Sequence, residues 1–238
     1  METKDLQLKT HRRGFLGILS GTAAAIGLAG IMTPFKLQAS PHAEIGELNS
    51  SDPMDADKWF NKVKGKHKIV YDCTQPHDVL PFAWPKVFLL TNQMTGTPAN
   101  DCGVVVVLRH DAIAYAFEDR LWAKYKFGDV FKAQDPKTNA TSSRNPFWKP
   151  QPGDFKVPGL GEVAIGINEL QNDGVMFCVC NVAITVFTAA VAGMMKMDAA
   201  EVHKDWMSGL LPGIQVAPSG VWAVGRAQEH GCAYCFAG

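Results

Sequence analysis

Val104-Val105-Val106-Val107-Leu108 constrains this chain more than any other stretch. A strand with one wet face alternates apolar and polar residues. This run does not alternate, so both of its faces are buried, as in the middle of a parallel sheet covered on two sides. Three further runs supply partners: 67–71, 175–179 and 214–217. Helical segments separate them. Trp84 to Gln93 suits a helix with Pro85 in its first turn. Leu160, Val163, Ile167 and Leu170 recur at helical spacing, and Asn172-Asp173-Gly174 ends that helix. Ala183 to Met197 is helical in composition, Asp198 with Glu201 forms a capping box for the next segment, and Ser219 caps a helix that runs to His230 and stops at Gly231. Cys232 to Phe236 supplies a last strand. Strand and helix in alternation specify an α/β fold with a mostly parallel sheet. Right-handed crossovers then bring every strand's carboxyl end to one edge, where such folds bind their ligands.

Residues 1–39 read as an address rather than as structure. His11-Arg12-Arg13-Gly14-Phe15-Leu16-Gly17 leads into an apolar run from Phe15 to Met32, followed by Lys36 and Leu37-Gln38-Ala39. This is the anatomy of a twin-arginine export signal cleaved near Ala39, which places the working domain in the periplasm. The rival reading is a membrane anchor. The run is long enough to span, but its many Gly and Ala residues partition weakly into lipid. Without the signal's five basic and two acidic residues, 23 of each become 18 and 21, a net charge of −3. That balance excludes nucleic acid and anionic membrane surfaces as partners; a membrane is met only through an uncleaved signal. Residues 40–62, polar and acidic, form a linker, and 63–238 form one domain.

The alternation is interrupted at 118–158. Glu118 to Gly128 is compatible with a helix; a polar, Pro-containing stretch then runs to Phe147-Trp148-Lys149-Pro150. This insertion is either a lid or interface, or an ordered covering for the core.

Six cysteines carry the reactive potential. Cys102 opens the valine strand and reads as core. Cys73 and Cys180 each follow a strand and are expected at the carboxyl edge, Cys180 directly before Asn181 and a helix. Cys178, two residues before Cys180, shares its strand face. A thiolate facing a helix N-terminus is stabilised and nucleophilic, and Asn181 is placed to cap that helix or to donate to a bound group. His77 and His110, expected just past strand ends, are candidate proton donors to a leaving thiol. Against this, Cys180 is equally readable as a packed cysteine, and each histidine as a surface residue. Arg109 binds either an anionic sulfur compound or a carboxylate. Cys232-Ala233-Tyr234-Cys235 admits three readings: a redox disulfide, a metal site completed by Cys178 and Cys180, or two strand cysteines on opposite faces. No nucleophile-elbow, zincin or phosphate-loop motif is present. Met194, Met195 and Met197 read as helix packing, and no cofactor or metal is assigned.

Three segments carry a family resemblance: Val175 to Asn181 with its strand ending Cys180-Asn181; Leu211-Pro212-Gly213-Ile214-Gln215-Val216-Ala217-Pro218-Ser219-Gly220-Val221; and Ala227-Gln228-Glu229-His230-Gly231-Cys232-Ala233-Tyr234. Together they resemble the DsrE/DsrF-like sulfur-relay family, clearly over about 65 residues. The insertion and the export signal match its exported branch better than its cytoplasmic members. The resemblance implies a flavodoxin-like three-layer fold, a homo-oligomer and, as in some members, a cysteine that carries persulfide sulfur. Cys180 stands at that position. The implied partner is a small sulfur compound or a sulfur-carrier protein.

Two function classes follow. In one, Cys180 accepts and carries sulfane sulfur, with Cys73, His77, His110 and Asn181 around it. In the other, the same fold is a non-catalytic oligomeric binding or accessory module whose insertion meets a partner. Cysteines at two strand ends favour the first; the lack of a complete acid/base set favours the second.

Overall fold

A computed structural model describes residues 53–157, 159 and 161–238. The stretch read as an export signal and the first part of the stretch read as a linker lie outside them. The last part of the stretch read as a linker is helical. Pro53–Phe60 is a helix, α1, whose Trp59 and Phe60 are buried, because two aromatic rings make a docked helix better than a solvated tether.

Five strands form one all-parallel sheet: β1 (His67–Cys73), β2 (Cys102–Leu108), β5 (Met176–Cys180), β6 (Ile214–Ala217) and β7 (Ala233–Phe236), in the spatial order β6-β5-β2-β1-β7. A two-residue hairpin, β3 (Lys156–Val157) with β4 (Gly161–Glu162), lies apart from it. The valine run is the middle strand. Val104, Val106 and Leu108 enter one apolar cluster, and Val105 and Val107 enter the other.

The chain steps from β1 through β2 and β5 to β6 in one direction, then crosses back to place β7 beyond β1. Right-handed crossovers taken in one direction put all their helices on the same face. That face holds α2 (Leu80–Met94), α3 (Asp119–Tyr125), α5 (Ile167–Asn172), α6 (Asn181–Met195) and α7 (Ala199–Ser208). The return helix, α8 (Gly220–Glu229), must take the other face, where its Ala223 and Ala227 pack with Trp59 and Phe60 of α1. The result is the expected three-layer α/β architecture. Numbered along the chain, the five strands run 4-3-2-1-5, whereas flavodoxin's run 2-1-3-4-5.

Two helix boundaries differ from the sequence reading. α2 begins at Leu80, with Pro81 in its first turn and buried Phe82 anchoring it, so Pro85 falls inside the helix. Val163 is not helical. α5 starts only at Ile167, after Gly166, whose N–H donates to Glu169 at 2.8 Å and whose missing Cβ leaves room for Pro150.

The 118–158 insertion is an ordered covering of the core. α3 is followed by Lys126 in a left-handed conformation and by the one-turn α4 (Phe127–Val130). Trp122, Tyr125, Phe127 and Phe131 are buried with Trp206 of α7, the Phe127 and Trp206 rings 4.5 Å apart. Asn145, fully buried, ties the irregular part down: its amide donates to the carbonyls of Tyr115 and Phe117 at 2.9 Å each, and its Oδ1 accepts from the Phe147 N–H. Outside, Asp205 accepts from Lys124 and Tyr125 at 2.7 Å and from Arg120 at 2.5 Å, clamping α3 to α7.

Candidate functional site at the carboxyl edge

β5 ends at Cys180, which is also the N-cap of the 15-residue α6. At φ −75° and ψ 111° the chain leaves the strand, and the Cys180 Sγ accepts the Ala183 N–H at 3.3 Å. A helix start leaves such N–H groups without backbone partners, and the sulfur takes the position usually held by a Ser or Asp oxygen. The turn also breaks the strand alternation. Cys178 packs in the α1/α8 cluster, whereas Cys180 packs in the other, so the two do not share a face. Asn181 is the first residue inside α6 and does not cap it. It is 2% exposed, and its Oδ1 has no hydrogen-bond partner among the described residues.

Cys73 occupies the same place at the end of β1 and is fully buried. Its thiol is pushed far up, chiefly by burial and then by Asp72, Cys178 and Cys235, with Arg109 partly opposing. Burial raises Cys178 in the same way. Both are neutral core thiols.

Sequence reasoning passed over the residue next to Cys73. Asp72 is 2% exposed and is held in a bidentate pair by Arg109, Nε to Oδ1 at 2.5 Å and Nη2 to Oδ2 at 2.8 Å. The Tyr234 hydroxyl donates to the same Oδ2 at 2.9 Å. Arg109 therefore pairs with a carboxylate, and its charge is held more firmly for it. Gly220 makes this possible, since a Cβ there would stand 2.4 Å from that of Arg109. The available signal was a lone acidic residue inside an otherwise apolar strand end, which must find a cation once buried.

Both histidines are exposed. His110 directly follows Arg109 in a left-handed conformation (φ 49°), with Nδ1 3.3 Å from Asp111 and its ring 5.9 Å from Phe187 of α6. Burial raises the Asp111 carboxyl, with His110 and Lys132 opposing. His77 lies in the β1–α2 loop against Gly238. The sheet thus brings Cys73, His77, His110 and Cys180 to one edge, but no hydrogen bond or ring contact joins any two of them among the described residues.

The paired cysteine spacing at 232–235 resolves by strand geometry. Cys232 packs in the α1/α8 cluster and Cys235 against the opposite one, and all six cysteines are free. Among the described residues no three His, Cys, Asp or Glu side chains are grouped to hold a metal ion.

Among the described residues, cavities open at both edges of the sheet. One of about 580 Å³ opens at the amino edge, against Trp59, Lys62, Gln171 and Gly213. The other, about 280 Å³, lies beside the β1 end and is bounded by Asp78, Tyr115 and the 132–139 turn of the insertion.

No family model and no curated protein matches the chain. Among solved structures it is similar to a protein of unknown function from Methanobacterium thermoautotrophicum, at 18% identity over 72% of this chain and 99% of that one, with a TM-score of 0.35.

Proposed function

We propose that this is an exported, DsrE/DsrF-like sulfur-handling protein in which Cys180 accepts and carries a sulfane sulfur. The observation that carries the reading is the Cys180 Sγ seated at the N-terminus of a long helix and accepting the Ala183 N–H. An anion in that position is stabilised by the helix end. The Cys180 thiolate attacks the outer sulfur of a persulfide donor. The S–S bond of the donor breaks, its inner sulfur leaves as a thiolate, and Cys180 becomes the persulfide; no oxidant or reductant is consumed. His110 and His77, at the same sheet edge, are the candidates to protonate the leaving thiolate. Asn181, with its buried unpartnered Oδ1, is available to accept from the terminal S–H. The donor is a small sulfur compound or a sulfur-carrier protein.

The rival reading, an oligomeric binding or accessory module, is favoured by one observation. α6 exposes Val182, Val186, Met194 and Met195 and, just past its end, Met197. A second copy of the chain is the proposed cover, and the two readings are compatible if oligomerisation closes over Cys180. Export rests on Arg12 and Arg13, and replacing both with Lys is expected to leave precursor in the cytoplasm. No helix of the described residues is long and apolar enough to cross a membrane.

The test is intact mass spectrometry of the mature protein after exposure to a persulfide donor, wild type against Cys180→Ser. The reading expects one added sulfur atom in the wild type, removed by reductant and absent from the variant. Equal labelling of both would discard it.

A further inference from the structure

The 280 Å³ cavity is built in a way that the Cys180 chemistry does not use. Its wall comes from three separate places: Asp78 in the β1–α2 loop, Tyr115 in the 3-10 turn after β2 (His110–Ala116), and Lys132, Gln134 and Asn139 in the insertion. Three of these residues, Asp78 (φ 50°), Lys132 (φ 54°) and Asn139 (φ 56°), hold left-handed backbone. Asp and Asn visit that region readily, but Lys does not. Residues held there against preference gather at ligand clamps and active sites.

The charges are the second observation. Asp78 and Lys132 both line the cavity, and neither forms an ion pair among the described residues. Asp111 lies within electrostatic range of Lys132 without bonding to it. Other exposed lysines, Lys62 and Lys126 among them, also form no ion pair among the described residues; what sets Asp78 and Lys132 apart is that both line one small space. One free charge of each sign around a small space is complementary to a molecule that carries both. A dianion such as phosphate meets repulsion from Asp78, and a simple amine meets it from Lys132.

Tyr115 is the third. It is 1% exposed and fixed by edge-on packing against Phe82 and Phe147, with ring centroids 5.2 and 5.3 Å away. Its hydroxyl takes part in no hydrogen bond among the described residues and is not among the buried unpartnered atoms, so it is open to an occupant of the cavity that Tyr115 lines. Burial and the neighbouring Cys73 and Asp78 keep the phenol protonated, so it is a fixed donor. At this volume, just below the roughly 300–1,000 Å³ of drug-sized sites, the occupant is a compact metabolite rather than a nucleotide.

We propose that this cavity binds a small zwitterion of the α-amino-acid class, its ammonium on Asp78, its carboxylate on Lys132, and its remaining polar atoms on Tyr115, Gln134 and Asn139. The proposal is independent of sulfur transfer at Cys180 and stands or falls separately.

The experiment is calorimetric titration of the full chain with glycine, L-alanine and L-serine, beside propionate and ethylamine, which each carry one of the two charges. Saturable binding of at least one zwitterion at millimolar concentration is expected, with the single-charge compounds at least about tenfold weaker. Asp78→Asn, which keeps a residue tolerant of the left-handed backbone, is expected to remove that advantage over propionate. Lys132→Gln is expected to remove it over ethylamine. No saturable signal from any of the three zwitterions, propionate or ethylamine matching the best of them, or a folded Asp78→Asn variant binding like wild type would each overturn the proposal. The comparison with single-charge compounds needs no variant and decides the matter if a substitution fails to fold.

Discussion

Cys73 and Cys180 end two strands that flank the same central strand, and the fold treats them in opposite ways. At the β1 end the chain runs into an irregular loop, residues 74–79, and no helix starts at Cys73, which stays in the core next to a buried carboxylate, Asp72, that is satisfied by Arg109 and Tyr234. At the β5 end the chain turns at once into a helix, and Cys180 spends its sulfur on a helix N–H at 7% exposure. Equal positions in the sheet therefore do not give equal chemistry. The backbone after the strand decides whether a thiol is packed in the core or caps the start of a helix. The β1 end is a structural anchor, and the β5 end is the candidate reactive site.

The largest effect is expected at the anchor. Arg109→Met leaves the Asp72 carboxylate buried with only Tyr234, and removal of one partner from a buried ion pair costs about 3–5 kcal/mol. Urea unfolding monitored by circular dichroism measures it. A loss under 1 kcal/mol would mean that Asp72 is solvated and that the contrast between the two ends is overstated.

The asymmetry also sets a dependence on pH. Cys73 and Cys178 are raised when folded. Their contribution is therefore fully present below the unfolded thiol value of about 8.5 and is lost as pH rises above it, at about 1.4 kcal/mol per pH unit for each thiol while the native form stays protonated. Stability curves from pH 8 to 10 should steepen accordingly, and Cys73→Ala should remove one thiol's share of the slope while also introducing its own small cavity cost. An unchanged slope in that variant would show that Cys73 ionises in the native state.

At the β5 end, Cys180→Ala removes the cap of α6 and should cost roughly 0.5–2 kcal/mol, whereas Cys180→Ser restores an oxygen acceptor and should recover most of it. If the two variants are equally stable, the sulfur is not serving as a cap. The smallest effect belongs to Tyr234→Phe, which deletes one half-exposed hydrogen bond to Asp72 and is expected to cost about 1.5 kcal/mol or less, because Arg109 keeps both carboxylate oxygens occupied.

Much of this contrast was legible in the sequence, for a physical reason. Continuous apolar runs and the caps at Asp198 and Ser219 are local signals, and Asp198 and Ser219 accept from Glu201 and Trp222 as their spacing implies. The edge positions of Cys73 and Cys180 followed from parallel crossovers alone. Partners far apart in sequence were not legible. Nothing in Asp72, Arg109 and Tyr234 announces that they meet across 162 residues. Similarly, Asp78, Tyr115 and Lys132 come together only because the insertion folds back onto the strand ends. The pairing of Cys178 with Cys180 failed because the alternation of a strand stops where a helix begins.

The central claim, that the turn into α6 makes Cys180 the reactive thiol, is tested most directly by competitive alkylation of the native protein followed by peptide mass spectrometry, with rates measured for Cys180 and Cys73 across pH. The account predicts Cys180 to be modified first, faster than a free model thiol at neutral pH, with Cys73 unmodified until the protein unfolds. Cys180 reacting no faster than the free thiol, or Cys73 reacting alongside it, would contradict the account.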